Sequence, residues 1–196
     1  MPDEALDEQE LRQQLVGGAY QLWARGVISG DNGLVSVKVN RRRYLVTPPG
    51  KRRGALQPAD VLPVDMGGMA LDLGRDLPDH VWNPHRLAYQ SDRSGMGASF
   101  TDQHEVKATV LAVPPHTAAL LRLRKLDESL QLPDVTPVPI LKADDEAGVR
   151  RAFEKLPAVW LDRRGLLTAG TSLDEAVAVC ERIEHAATIE VLCLRG

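Results

Sequence analysis

The chain has 196 residues, 43% of them hydrophobic and 26% charged, and its 24 Lys and Arg against 27 Asp and Glu leave a formal net charge of −3. A domain of this size buries a core without disulfide or metal staples, and so even a charge balance supplies no global field toward nucleic acid or an anionic membrane. No uncharged apolar run approaches the roughly 18 residues of a membrane span, and the acidic start lacks the basic, apolar signature of a signal peptide, so a cytoplasmic location is expected.

Residues 8–25 predict a helix, with Leu11, Leu15, Ala19, Leu22 and Trp23 on one face, Asp7 and Glu10 as an approximate capping box, and Gly26 at the C′ position. Residues 34–39 and 44–47, joined by the polar turn 40–43, predict a hairpin that Pro48-Pro49-Gly50 ends. Residues 61–65 form a further short strand, placed at an edge by Pro63, and Gly67-Gly68 turns the chain into 69–73. A helix is expected over 84–91 and a polar, small-residue loop, the most flexible segment, over 92–104. Residues 109–113 form a buried strand, and 116–123 a short helix behind Pro114-Pro115. Residues 135–141 are a Pro-interrupted strand and 146–155 a helix whose acidic start, Asp144 to Glu146, complements the dipole. Residues 158–161 and 166–168 flank an Arg163-Arg164-Gly165 turn. The Ser172 to Glu175 capping box opens a long last helix. Its Cys180 and Cys193 lie roughly 20 Å apart along a 1.5 Å rise, too far to bridge, and read as two buried thiols. Trp23, Trp82, Trp160 and Tyr89 read as core or subunit-border groups. Neither repeat nor linker interrupts residues 1–196, which read as one α/β domain.

Four segments, in this order, resemble the class II aldolase/adducin family, which includes zinc-dependent fuculose- and rhamnulose-phosphate aldolases. They are the glycine-rich stretch 24–37 with Gly30 and Gly33; Thr47-Pro48-Pro49-Gly50, similar to a "TPSG" loop, with 56–65 after it; 78–89, where His85 and Tyr89 match "H-x-x-I-Y"; and 160–187, with Gly170, Ser172, Leu173 and Glu184 in the last motif. The resemblance implies a three-layer α/β/α fold with a mainly antiparallel central sheet, assembled as a homo-oligomer, a cyclic tetramer in relatives, with sites at subunit borders. Hairpins alternating with amphipathic helices agree with that architecture.

The resemblance also implies a zinc site built from an H-x-H strand pair and a third histidine. Residues two apart on a strand share a face, so both imidazoles reach one ion. The matching residues are Leu111, Val113 and Arg164. Two have no donor atom and the third is a permanent cation, so the family zinc site is expected to be absent and no cofactor is expected in its place. The acid/base and phosphate positions of the family read Asp79, His80 and Val81, and valine cannot move a proton.

What remains is a set of candidate ligand-binding residues: Gly33 and Gly50 in two turns, Lys51 beside them, Asp79, His80 and His116 near the inherited pocket, and Arg164 as a partial replacement for the metal charge. Two solvated turns at hairpin ends would leave the same pattern. A rebuilt site from His80, His116 and an acid such as Asp79 or Glu105 is the other option. The sequence therefore predicts a degenerate, non-catalytic member, with no catalytic residue assigned, that binds a small anion or a protein partner. The alternative is an aldehyde-lyase or isomerase acting on a small phosphorylated sugar or keto-acid through a metal-free or rebuilt site.

Overall fold

The computed structural model describes residues 7–91, 105–126 and 128–194. Helix α1 (Glu8–Ala24) starts at Asp7, whose carboxylate accepts from the Gln9 N–H, and buries Leu15, Ala19 and Leu22. Strands β1 (Leu34–Lys38) and β2 (Tyr44–Val46) form the expected hairpin. Two 3₁₀ turns, Arg53–Ala55 and Pro58–Asp60, lead to β3 (Leu62–Val64), β4 (Met69–Ala70), β5 (Arg75–Asp76) and helix α2 (Asp79–Tyr89). Then come β6 (Ala108–Ala112), α3 (Pro115–Arg124), β7 (Ser129–Leu130), β8 (Val138–Leu141), α4 (Glu146–Phe153), β9 (Ala158–Leu161), β10 (Gly165–Gly170) and α5 (Leu173–Cys193).

The strands form one sheet in the order β5-β4-β3-β2-β1-β6-β10-β9-β8-β7. Every pairing is antiparallel except β8 with β9, whose crossover is α4, as a parallel neighbour requires. The two-residue period sorts the side chains cleanly. Val35, Val37, Leu45, Val110 and Leu166 pack with α1, α3 and α5, whereas Tyr44, Val46, Leu111, Val159 and Leu167 pack with α2 and α4.

Several expectations are corrected. Pro63 does not mark an edge, because β3 pairs with both β2 and β4. Its carbonyl accepts from the Leu71 N–H, so its missing donor also faces the β4 side, where the ladder is a single residue pair. Only Met69–Ala70 of the expected 69–73 strand is extended, and the chain turns into β5 instead. Helix α2 starts at Asp79, before Pro84, which it holds inside and buries. The hydrogen bond that Pro84 forfeits belongs to the carbonyl of His80, which lies in the exposed first turn and can be solvated. Cys180 is buried, but Cys193 is exposed at the end of α5. Trp82 and Tyr89 are core as expected, and Trp23, 41% exposed, leaves only the subunit-border half of its expectation open. The 92–104 loop lies outside the described residues.

Helix α3 is capped from another helix. Pro114 offers no side-chain cap, and Glu184 of α5 accepts from the His116 and Thr117 N–H groups at 2.9 Å, from Thr117 Oγ1 at 2.8 Å and from His116 Nδ1 at 2.8 Å. A buried carboxylate thus satisfies donors that the first turn cannot satisfy itself and meets the positive end of the dipole. Glu184→Ala is expected to cost about 3 kcal/mol by leaving these donors unpaired. The check is a thermal melt, in which Tm should fall by roughly 6–12 °C.

Candidate functional site

Sheet register gathers the candidate loops at one end. Leu34 faces Leu111 and Thr47 hydrogen-bonds Val35, so the start of β1, the end of β2 and the end of β6 coincide. Leu166 faces Ala112, which brings the 163–165 turn to the same end. Gly33, the 47–50 loop, Val113 and Arg164 therefore share one rim of the sheet. Gly33 is required there by its φ of +81° and by Ile28 Cγ2, 2.6 Å from where a Cβ would stand.

A cleft of about 500 Å³ opens on this rim between Pro48, Pro49 and Lys51 on one side and Arg75, Asp76, Leu77 and Pro78 on the other. Asp79 and His80 follow directly at the start of α2, both exposed. Lys51 is ion-paired with Asp60, whose carboxyl is held below its usual range by that lysine and by the Gln57 N–H. Arg53, two residues on, turns inward: it is 1% exposed. Its Nε donates to the Gly33 carbonyl at 2.6 Å, its Nη1 to those of Pro48 at 2.7 Å and Lys51 at 3.0 Å, and its Nη2 to that of Asp31 at 2.9 Å. Burial pushes its pKa down to about 10. The basic run 51–53 is therefore one paired lysine, one exposed arginine and one structural arginine rather than a single cationic patch.

His116 is not part of this cleft. Its side chain and backbone are both committed to Glu184, on the face of α3 and α5, whereas His80 belongs to α2 on the opposite face. The structure thus brings Gly33, Gly50, Lys51, Asp79, His80 and Arg164 to one end of the sheet and leaves His116 apart. Glu105, the other acid considered, is ion-paired with Lys38 at the far end of β1.

Beneath the rim, on the α2 face, lies a polar cluster that the sequence reading missed. Ser36 Oγ is 2.9 Å from His85 Nδ1, 2.8 Å from the Tyr89 hydroxyl and 2.8 Å from Thr109 Oγ1, and Thr109 Oγ1 is 2.6 Å from His85 Nδ1. Its signals were the motif match of His85 and Tyr89, and a serine and a threonine on the inward face of otherwise apolar strands. His85 Nε2 and the Tyr44 hydroxyl are buried without a hydrogen-bond partner among the described residues. Burial pushes the His85 pKa down to about 3 and that of Tyr44 up to about 12, with Glu105 adding to the latter.

The sequence profile of the class II aldolase and adducin N-terminal domain matches residues 13–191. The chain belongs to that family. Among relatives, methylthioribulose-1-phosphate dehydratase of Pseudomonas syringae pv. tomato is 31% identical over 107 residues, 55% of this chain and 51% of the relative. The chain thus spans about half the length of the dehydratases it matches. Among known structures, YgbL of Escherichia coli superposes with a TM-score of 0.76 at 24% identity, covering 94% of this chain and 90% of that one. The L-fuculose-1-phosphate aldolase of Thermus thermophilus does so with 0.72 at 22% identity, covering 93% of each. These two likenesses establish the class II aldolase fold.

The residues that stand where this family is expected to hold zinc do not fit the ion. Leu111 and Val113 lie two apart on the β6 rim, the geometry a ligand pair needs, but offer only aliphatic carbon. Arg164 precedes Gly165, where a Cβ would stand 2.9 Å from Val113 Cγ2, so the backbone that carries a fixed cation shares their corner. Among the described residues no group of three His, Cys, Asp or Glu is placed to hold a metal, and no helix is long and apolar enough to cross a membrane.

Proposed function

We propose that this family member is a lyase- or isomerase-type enzyme that holds a small phosphorylated sugar in the cleft between the 48–51 loop and the 75–78 segment. The cleft carries the reading, because its walls hold Lys51 and the backbone of the 48–51 turn, with the titratable groups Asp79 and His80 next in sequence after its Pro78 wall. Similarity to dehydratases of a sugar phosphate supports the enzymatic alternative over the non-catalytic reading that the sequence put first.

In this reading Lys51 and the N–H groups of Gly50 and Lys51 take the phosphate, since Pro48 and Pro49 have no N–H to give. Lys51 exchanges Asp60 for the dianion. The sugar carbons lie along the 75–78 wall of the cleft, whereas Val113 and Arg164 stand on the other side of β2, β6 being roughly 10 Å from it at about 4.8 Å per strand. Asp79 and His80, next to that wall, carry the proton off carbon and onto the departing hydroxyl. The family zinc has no part in it. A homo-oligomer, a cyclic tetramer by family resemblance, and the three-layer α/β/α arrangement, supported by the division of the helices between two clusters, belong to the same proposal.

The test is turnover of methylthioribulose 1-phosphate, and of dihydroxyacetone phosphate with an aldehyde, by chelator-treated protein. Activity should survive chelation, and Lys51→Ala should raise KM about tenfold at unchanged kcat, the loss of one charge-assisted contact. A second reading, a binder without turnover, is favoured by the aliphatic pair Leu111 and Val113. It stands if sugar phosphates bind in a Lys51-dependent way but are recovered unchanged.

A further inference from the structure

We propose that Arg53 is a positioning residue that sets the binding rim of this chain by holding the glycine-rich turn 31–33 and the 48–51 loop in one fixed relation. The inference rests on the sugar-phosphate reading of the cleft. Its warrant is the geometry of the guanidinium, a rigid planar fork with five donors. Four of the five are spent on carbonyls: Gly33 and Asp31 from the first turn, Pro48 and Lys51 from the second. The Arg53 backbone N–H adds a bond to the Gly30 carbonyl at 2.9 Å. All four side-chain hydrogen bonds go to backbone carbonyls, and the Asp31 carboxylate acts on the guanidinium only through its charge.

Such an arrangement does more than stabilise. A carbonyl oxygen facing the cleft would repel a phosphate, and Arg53 turns four of them inward. In a trans peptide the N–H points opposite to its carbonyl, so holding the Lys51 carbonyl inward turns the Arg52 N–H outward. The rim then presents fewer acceptors to an anion and one added donor, the Arg52 N–H, since Pro49 has no N–H and that of Asn32 is spent on the Ser29 carbonyl. Lysine cannot reproduce this, because one ammonium cannot span two turns with several directed bonds.

Two measurements test the proposal. The first is hydrogen exchange on Arg53→Lys and Arg53→Met, with Leu120→Ala in the α3–α5 interface as a control of comparable lost stability. In Arg53→Lys the amides of residues 31–34 and 50–52 should together lose about tenfold protection, with no such joint loss in Leu120→Ala. Unchanged protection in a folded Arg53 variant would overturn the coupling. The second is calorimetric titration with dihydroxyacetone phosphate, in which Arg53→Lys should bind at least about fivefold and Arg53→Met at least about tenfold more weakly than the parent. Binding as tight as the parent's in both folded variants, or equal weakening in Leu120→Ala, would reduce Arg53 to a structural residue. No binding by the parent chain, with the exchange result intact, would instead remove the sugar-phosphate reading and leave the two-turn clamp standing.

Discussion

Replacing Gly165 by alanine is expected to cost at least about 4 kcal/mol, enough to lower Tm by roughly 8–16 °C or to prevent soluble expression. Gly165 opens β10 with a φ of +116°, a conformation that only glycine adopts freely. A Cβ there would fall against the Ala112 carbonyl oxygen, well inside contact distance, and 2.9 Å from Val113 Cγ2. Neither neighbour can yield cheaply: Ala112 is backbone in the central β6–β10 ladder, and Val113 is the next residue along. The strand must therefore move, and the moved strand carries Arg164. Gly17 in α1 is the control, since nothing lies within 4 Å of its Cβ position. Gly17→Ala should stabilise by about 0.5–1 kcal/mol through helix propensity alone. Paired melts of the two variants separate steric from propensity effects, and a Gly165→Ala protein as stable as its parent would contradict the close β6–β10 approach.

The elements that local chemistry dictates were legible in the sequence. Ser172 does cap α5, with its hydroxyl 3.1 Å from the Glu175 N–H, although the Glu175 carboxylate reaches back to Thr171 rather than to Ser172. Asp145 caps α4 by accepting from Gly148, as an acidic helix start suggests. What failed depended on partners distant in sequence. Pro84 reads as a helix start because proline suits N1, yet burial of Val81 and Trp82 against the sheet extends α2 by a turn upstream. Pro63 reads as an edge because a missing donor is costly in a full ladder, and the one-pair β3–β4 ladder removes that cost.

The site followed the same rule. That Leu111, Val113 and Arg164 converge was legible from motif order, because strand register fixes it once the strands are placed. The fate of Lys51-Arg52-Arg53 was not. Three consecutive cations read as a surface patch, and nothing local says that the third turns inward to carbonyls 20 and 22 residues upstream. His116 misled in the opposite sense, since its partner Glu184 is 68 residues away. Glu184 itself was visible only as a motif match, and its capping role needed α3 and α5 to be packed together.

The buried histidine gives the second large expectation, a steep loss of stability in mild acid. In the folded chain His85 is fully buried, stacked beside Trp82 at a ring-centroid distance of 6.0 Å, and held neutral by desolvation with a pKa pushed down to about 3. In the unfolded chain the same imidazole takes up a proton near pH 6.5. Between these values the unfolded state holds one more proton, so stability is complete above about pH 6.5 and falls by about 1.4 kcal/mol for each unit of acidification. The full interval is worth roughly 4–5 kcal/mol, a large share of a typical domain's margin. On the alkaline side the sign reverses, because burial raises the pKa of Tyr44 and Tyr89, and stability is lost as pH climbs past about 10. Denaturant midpoints measured from pH 7 to pH 4 isolate the histidine when compared with His85→Asn, whose amide can serve the Nδ1 position toward Ser36 and Thr109 without titrating. The parent should lose about 1.4 kcal/mol per pH unit more than the variant below pH 6, one proton's worth. Parallel pH curves for the two proteins would mean that His85 is protonated in the folded chain, and the Ser36–Thr109–His85 cluster would then have to hold a charge that its geometry gives no carboxylate to balance.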